Sequence, residues 1–264
     1  MSLSIDGGVM SVQVLVATMH QSDHSLLEKM NIQSDAIVGN QCDRNSIEDF
    51  VYRGHNIRYL NFAERGVGLN RNNALMRADA DFCLFADDDI VYRDGYVDIV
   101  ENAFEAFPDA DVIAFNFLDR TDYGDMQPRH TIAKASRVRW HNYLRYGTAR
   151  IAIRLSSIRE HGIAFNLCYG GGTAHAHGED NLFLTDCLKK KLKIYAVPDV
   201  VAELTDDRPS TWNGVYDDKY LKDQGCLYRE ISRRWWKLLC LQDAVRHHGE
   251  YHKTITDAYK SMVL

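Results

Sequence analysis

Phe82-Cys-Leu-Phe-Ala-Asp87-Asp-Asp89 is the stretch on which the reading of this chain turns. Five apolar residues make a short run of the kind that becomes a buried strand of a parallel sheet. Three adjacent carboxylates then stop it. Like charges repel, so each needs a cation or a hydrogen-bond donor close by. At a strand end they suit a hard divalent ion, Mg²⁺ or Mn²⁺, which keeps one or two protein carboxylates and takes phosphate oxygens besides. A solvated acidic turn is the alternative.

Upstream, Val12-Gln-Val-Leu-Val-Ala-Thr18 is a second buried-strand run. Residues 25–30 suit a short helix, and residues 36–40 suit a strand that ends in the polar cluster 40–45. Residues 57–61 suit a third strand. Gly66-Val-Gly68 then punctuates the chain, and residues 69–78 carry Leu69, Asn73 and Met76 at helical spacing. Downstream of the acidic triplet, residues 94–107 suit a helix ended by Pro108, and residues 112–117 a fifth strand. This alternation predicts an α/β fold of Rossmann-like type, with a mostly parallel central sheet, helices on both faces and ligand sites at the strand C-terminal ends.

The second half is less regular. Residues 119–147 are polar, basic and aromatic and read as a long excursion over the site. Residues 149–153 suit a strand, 179–191 a helix, and 192–197 a strand closed by Pro198. From Lys219 onward the pattern is helical. The expected organisation is a flexible leader over 1–10, one catalytic domain over 11–218 and a C-terminal helical segment over 219–264.

At 264 residues, 45% hydrophobic and 26% charged, the chain has ordinary globular composition, which excludes a disordered or fibrous protein. No apolar run reaches the ~18 residues of a membrane span. The six cysteines are scattered without a CxxC pair, and Cys83 and Cys187 sit in apolar segments, which fits a reducing compartment. The expectation is a soluble cytoplasmic protein. The net charge of −6 argues against broad binding of nucleic acid. That average hides an asymmetry. Residues 219–264 carry nine Lys or Arg against five Asp or Glu, a net of +4, whereas residues 1–218 carry 22 against 32, a net of −10. The basic part includes Arg233-Arg-Trp-Trp-Lys-Leu-Leu-Cys-Leu241. Such a helix can lie on an anionic membrane surface, or its Trp235, Leu238 and Leu239 can pack on the catalytic domain.

Glu179-Asp180 opens a predicted helix, where the N-terminal dipole favours carboxylates; capping alone would also account for the pair. Just before it, Gly170-Gly-Gly172 either lets the backbone pass close to a ligand or forms a plain flexible loop. His175 and His177 form an HxH that could bind a metal or a substrate, or stand merely exposed. Arg208, Ser210 and Thr211 could hold phosphate; helix capping is the plainer role for the two hydroxyls. Asp87-Asp-Asp-Ile-Val91 also satisfies the pattern of haloacid dehalogenase-like phosphatases, in which the first Asp is a nucleophile. That pattern expects the motif after the first strand and a later GDxxxD pair, and neither condition is met. A non-catalytic carbohydrate-binding or assembly protein is another possibility.

The 12–18 run, Gly66-Val-Gly-Leu-Asn-Arg-Asn-Asn-Ala-Leu75, residues 82–89 and Gly178-Glu-Asp-Asn-Leu-Phe183 occur in an order and approximate spacing that resemble the family 2 glycosyltransferases over residues 11–205. The resemblance implies the GT-A fold, a nucleotide-sugar donor (a UDP-sugar) and inversion at the anomeric carbon. It implies that Thr18 lines the nucleotide pocket, that Asp43 meets the nucleobase and that Arg71 sits at the diphosphate end, where a guanidinium can pair phosphate bidentately. Asp87 and Asp89 resemble the ends of a DXD motif, with Asp89 a direct Mn²⁺ or Mg²⁺ ligand, Asp87 toward the nucleoside and metal, and Asp88 sharing either task. Asp180 resembles the general base, with Glu179 orienting the acceptor; Gly171, Gly172, His175, His177, Arg208 and Ser210 are further acceptor-binding candidates from their own chemistry, not from the resemblance. That acceptor is implied to be a saccharide or lipid-linked saccharide of bacterial cell-surface polysaccharide synthesis, met at the inner face of the membrane. One departure stands out. Several metal-dependent relatives place a His after the Glu-Asp helix, and residues 200–207 contain none.

Overall fold

The 12–18 run forms strand β1 (Val12–Met19), buried along all but its last residue. It pairs in parallel with a strand on each side, which is why its sequence is apolar throughout instead of alternating. The computed structural model describes residues 10–120, 126–129, 131–205 and 216–264. After β1 come α1 (Leu26–Lys29), β2 (Asp35–Gln41), β3 (Ser46–Tyr52), β4 (His55–Phe62), α2 (Val67–Arg77), β5 (Phe82–Asp87), β6 (Ile90–Tyr92), α3 (Tyr96–Ala106) and β7 (Val112–Arg120). The second half adds β8 (Met126–Arg129), β9 (Ser136–Arg137), β10 (Ile151–Arg154), α4 (Leu155–His161), α5 (Glu179–Lys189) and β11 (Ile194–Leu204). It closes with α6 (Asp218–Ile231), α7 (Trp236–His247) and α8 (Ile255–Val263).

Among the described residues the strands form one sheet in the order β3-β4-β2-β1-β5-β10-β7-β11-β6, with β8 on β7 and β9 on β11. The long strands β4, β2, β1 and β5 are mutually parallel, as are β7 and β11. Strand β10 is inserted antiparallel between β5 and β7, and the edge strands β3 and β6 are antiparallel too.

Side chains of β1 divide between two cores because successive residues face opposite ways. Val14 and Val16 join Leu27 of α1 and Val100 and Phe104 of α3. Leu15 joins Leu75 of α2, Ile158 of α4, and Phe183 and Cys187 of α5. Helices therefore cover both faces, as expected. The last three helices build a third core that takes in Tyr169 and Leu182 from the sheet body. Gly225 of α6 lets α8 approach so closely that a Cβ there would stand 1.8 Å from the Met262 carbonyl oxygen.

Several local expectations are corrected. Pro198 does not close its strand: β11 runs on to Leu204, and register shifts between Ala196 and Ala202 absorb the residue that cannot donate to the ladder. Within 119–147, which reads as an excursion, lie β8, β9 and a 3₁₀ turn at Tyr143–Arg145. The third helix starts at Tyr96, because Gly95 before it takes the left-handed conformation. Strands β3 and β6 and helix α4 have no counterpart in the sequence reading.

Candidate active site

Gly66 turns the chain from β4 into α2 at φ 117°, and its amide donates to Gln41 Oε1 at the end of β2 (2.8 Å). This aims the first turns of α2 across the C-terminal ends of the parallel strands. Arg71 follows within that helix and is 4% exposed. Its Nη2 donates to Asp87 Oδ1 at 2.6 Å, and its Nη1 donates to Glu179 Oε1 and Asp180 Oδ1, each at 3.1 Å. One guanidinium thus joins the end of β5 to the start of α5. The guanidinium carbon lies 5.4 Å from the centroid of the Phe165 ring, which stacks on Phe183 and meets Phe85 edge-on. This aromatic floor excludes water from one side and strengthens the charge interactions above it. Arg71 Nε is buried with no hydrogen-bond partner among the described residues.

Three carboxylates around one cation leave an excess of negative charge. Burial, and after it the adjacent charge of Asp180, push Glu179 up to about 7 against the opposing pull of Arg71. Asp180 is held from a second direction: Thr148, just before β10, donates its hydroxyl to Asp180 Oδ1. Neighbouring Gly147 leaves room beside Oδ2, where a Cβ would stand 3.4 Å away. No sequence signal singled out Thr148.

Thr18, at the end of β1, donates to Asp88 Oδ2, and Gln21 Nε2 donates to Thr18 Oγ1 at 2.8 Å. Asp89 is exposed, and its carbonyl accepts the amide (2.8 Å) and hydroxyl (3.0 Å) of Thr205, which ties the end of β11 to the acidic turn. Asp43 stands exposed beyond the end of β2. Thr18, Arg71, Asp87, Asp88, Glu179 and Asp180 are therefore gathered along one edge of the sheet.

Within the glycine triplet Gly170 is buried, whereas Gly171 and Gly172 are exposed. Gly170, at φ 99°, passes so near Glu179 that a Cβ would lie 2.7 Å from its carboxyl carbon. The Gly171 carbonyl accepts the Val67 amide, and Gly172 packs on the Gly66 backbone. Neither histidine of the HxH joins the carboxylate cluster. His175 pairs through Nδ1 with Asp223 Oδ1 (2.9 Å), and His177 Nε2 bonds Gln224 Oε1 (2.8 Å), both on α6. Burial lowers the His177 ring below the usual histidine range. Asp223 also accepts from Lys219 Nζ and the Ala176 amide, so helix α6 fixes the loop that leads into Glu179. Sequence reasoning did not find Asp223 or Gln21. Arg208, Ser210 and Thr211 lie outside the described residues.

Among the described residues no three His, Cys, Asp or Glu side chains converge as a closed metal cage. The acidic turn instead offers hard carboxylate oxygens from Asp87 and Asp89 at an exposed strand end. That donor set fits Mg²⁺ or Mn²⁺ bound chiefly through phosphate and water.

Residues 25–166, more than half of the chain, match the model of Glycosyl transferase family 2. No curated protein sequence matches the chain. Among solved structures, S. aureus TarS 1-349 in complex with UDP-GlcNAc is 14% identical with a TM-score of 0.65, over 96% of this chain and 90% of that one. The same fragment in complex with UDP is 16% identical with a TM-score of 0.61, at the same coverage. A longer S. aureus TarS chain is 15% identical with a TM-score of 0.62, and there the match spans 55% of that chain. At these identities the likeness is one of fold, and the expected GT-A architecture is the one observed.

Proposed function

Because the chain belongs to glycosyl transferase family 2, we propose that it moves one sugar from a nucleotide donor, a UDP-sugar, to a hydroxyl of a saccharide or lipid-linked saccharide, with inversion at the anomeric carbon. The observation that carries this reading is the Arg71 contact set. It brings the acidic strand end and the Glu179-Asp180 helix start within reach of one guanidinium, which supports a donor side and a base side that adjoin. The UDP and UDP-GlcNAc bound by the structural neighbours support the choice of donor.

In this reading Thr18, Asp43 and Asp88 receive the nucleoside end. Asp180 takes the proton of the acceptor hydroxyl through Oδ2, since Arg71 and Thr148 both hold Oδ1. The acceptor oxygen then forms its bond to C1 as the bond from C1 to the diphosphate breaks on the opposite face, a single displacement. Glu179, largely protonated up to about neutral pH, orients the acceptor by hydrogen bonding. A Mn²⁺ or Mg²⁺ ion held by Asp89 and Asp87 would neutralise charge on the departing diphosphate. Arg71 is placed to exchange one of its carboxylate partners for a phosphate oxygen, since guanidinium serves both. The acceptor belongs to bacterial surface-polysaccharide assembly at the cytoplasmic face of the membrane.

A thermal-shift screen of nucleotide sugars with Mn²⁺ tests the donor, because a ligand bound only by the folded state raises its midpoint. A rise with UDP-sugars that is lost in Asp89→Ala is expected. No response to any UDP compound would remove the donor assignment. The stereochemistry is read separately, from the anomeric configuration of the product by NMR.

A further inference from the structure

Helix α7 packs its Cys240, Asp243 and Ala244 face into the third core and turns the opposite face outward. That outward face is apolar where a surface helix is ordinarily polar. Trp235, at the N-cap, is 54% exposed, Leu238 is 56% and Val245 is 52%, with Leu241 between them. They step three or four residues at a time along the helix, a stripe of about 15 Å at the helical rise. Single exposed apolar residues need no explanation, but an aligned row on one helix does.

The charges around the stripe are all of one sign. Arg233, Arg234, Lys237 and Arg246 are exposed beside it. The Arg234 guanidinium lies over the Trp235 ring, 5.0 Å from its centroid. Asp243 is the one acidic residue between positions 233 and 246, and it is turned inward. It accepts from the hydroxyls of Tyr228 and Tyr251 and bonds the His247 ring. Between positions 233 and 246 the face therefore presents an indole, three aliphatic side chains and four cations, with no outward carboxylate. A second copy of the same face would set cations against cations. Among the described residues no helix is long and apolar enough to cross a membrane.

We propose that the outward face of α7 docks on an anionic phospholipid surface, with Trp235, Leu238, Leu241 and Val245 in the interfacial layer and the four cations among the headgroups. This deepens the membrane side of the function proposed above. It rests on that reading only for its purpose, since vesicle binding needs neither donor nor acceptor and each can fail alone.

The test is co-sedimentation of the full chain with vesicles of phosphatidylcholine alone and of phosphatidylcholine with phosphatidylglycerol. Binding to the anionic vesicles only, weakened by high salt, is expected. Arg233→Glu with Arg234→Glu should weaken it roughly thirtyfold or more, since each cation near the surface counts for about a factor of five. Trp235→Ser with Leu238→Ser should also weaken it, and both pairs of exposed substitutions should leave the thermal midpoint and the response to UDP-sugars unchanged. On the unaltered chain, a blue shift of tryptophan emission with anionic vesicles, absent in Trp235→Phe, reads the same contact without a destabilising change. Equal binding to both vesicle types, no binding to either, or full binding by the variants would overturn the proposal. So would a concentration-dependent dimer that the Trp235 and Leu238 substitutions dissolve while vesicles are ignored, since that result assigns the face to a second copy.

Discussion

Two of the buried charged residues among those described, Arg71 and Asp243, have surroundings opposite in kind. Arg71, in the sheet body, and Asp243, in the C-terminal helices, are each 4% exposed. Arg71 faces three carboxylates, and its Nε has no partner among the described residues. Asp243 is met by the Tyr228 and Tyr251 hydroxyls and the His247 ring, donors from three points of the helical unit. Burial first, and then the Asp243 charge, hold both phenols well above their usual range, so they stay protonated and donating. The Asp243 cluster is complete as it stands and joins helices. The Arg71 cluster is over-supplied with negative charge, and that surplus must be met by protons, by a metal ion or by rearrangement around a ligand. A buried ion whose partners balance it is structural; one whose partners overshoot marks a place where something binds.

The most severe way to break this contrast is Asp180→Asn. Transfer should fall by roughly 10²–10⁴-fold in kcat while donor binding persists, the loss expected when a positioned base is removed. Retained turnover would take the base role from Asp180.

Arg71→Met leaves three carboxylates facing one another and should cost about 3–5 kcal/mol of stability at neutral pH, measured by urea unfolding. The damage should shrink on acidification, as the carboxylates take up protons. The native protein has a pH signature from the same cluster. The folded state holds a proton on Glu179 up to about 7, above the ordinary glutamate value of 4.5, so between those values the native state binds more protons than the unfolded one. This contribution to stability is fully present below the unfolded pKa and is lost as pH rises toward about 7. Glu179→Gln should flatten that decline, and an unchanged slope would place the proton elsewhere.

Asp243→Ala tests the other side of the comparison. It should cost about 1–3 kcal/mol by stranding buried hydroxyls, while kcat for the folded fraction stays unchanged. The smallest effect is expected at Thr148. Thr148→Val removes one donor from Asp180 and should lower kcat by up to about tenfold, with the KM for donor unchanged and rescue by Thr148→Ser. A change in KM alone would mean that Thr148 serves the donor and not the base.

Much of this arrangement was legible because it is local. The runs at 12–18 and 82–86 are apolar since both faces of their strands are covered, and the polar residues just beyond them lie at the sheet edge where ligands were expected. Strand β3 escaped notice because it is an edge strand, half-exposed and carrying Glu48 and Asp49, so its pattern resembles a polar loop. The motif residues Arg71, Asp87, Glu179 and Asp180 could be named one by one. That a single guanidinium spans them could not, since the partners stand as much as 109 positions apart and only tertiary packing brings them together. Asp223 holds the loop before Glu179 from a helix that reads as an appendage. Its burial and pairing with His175 have no trace in local spacing.

Strand β10 carries a consequence for how such sites are searched. It enters the sheet against the direction of its neighbours, with Ala152 opposite Leu84 and Arg154 opposite Phe82. The carboxylate-bearing rim is where the parallel strands exit, so for β10 it is the point of entry. Thr148 precedes its strand and still arrives beside the carboxylates, whereas residues C-terminal to β10 are carried to the far rim. Where an interior strand runs against its neighbours, the habit of scanning only the C-terminal end of each strand overlooks a segment whose approach, not its departure, reaches the carboxylates.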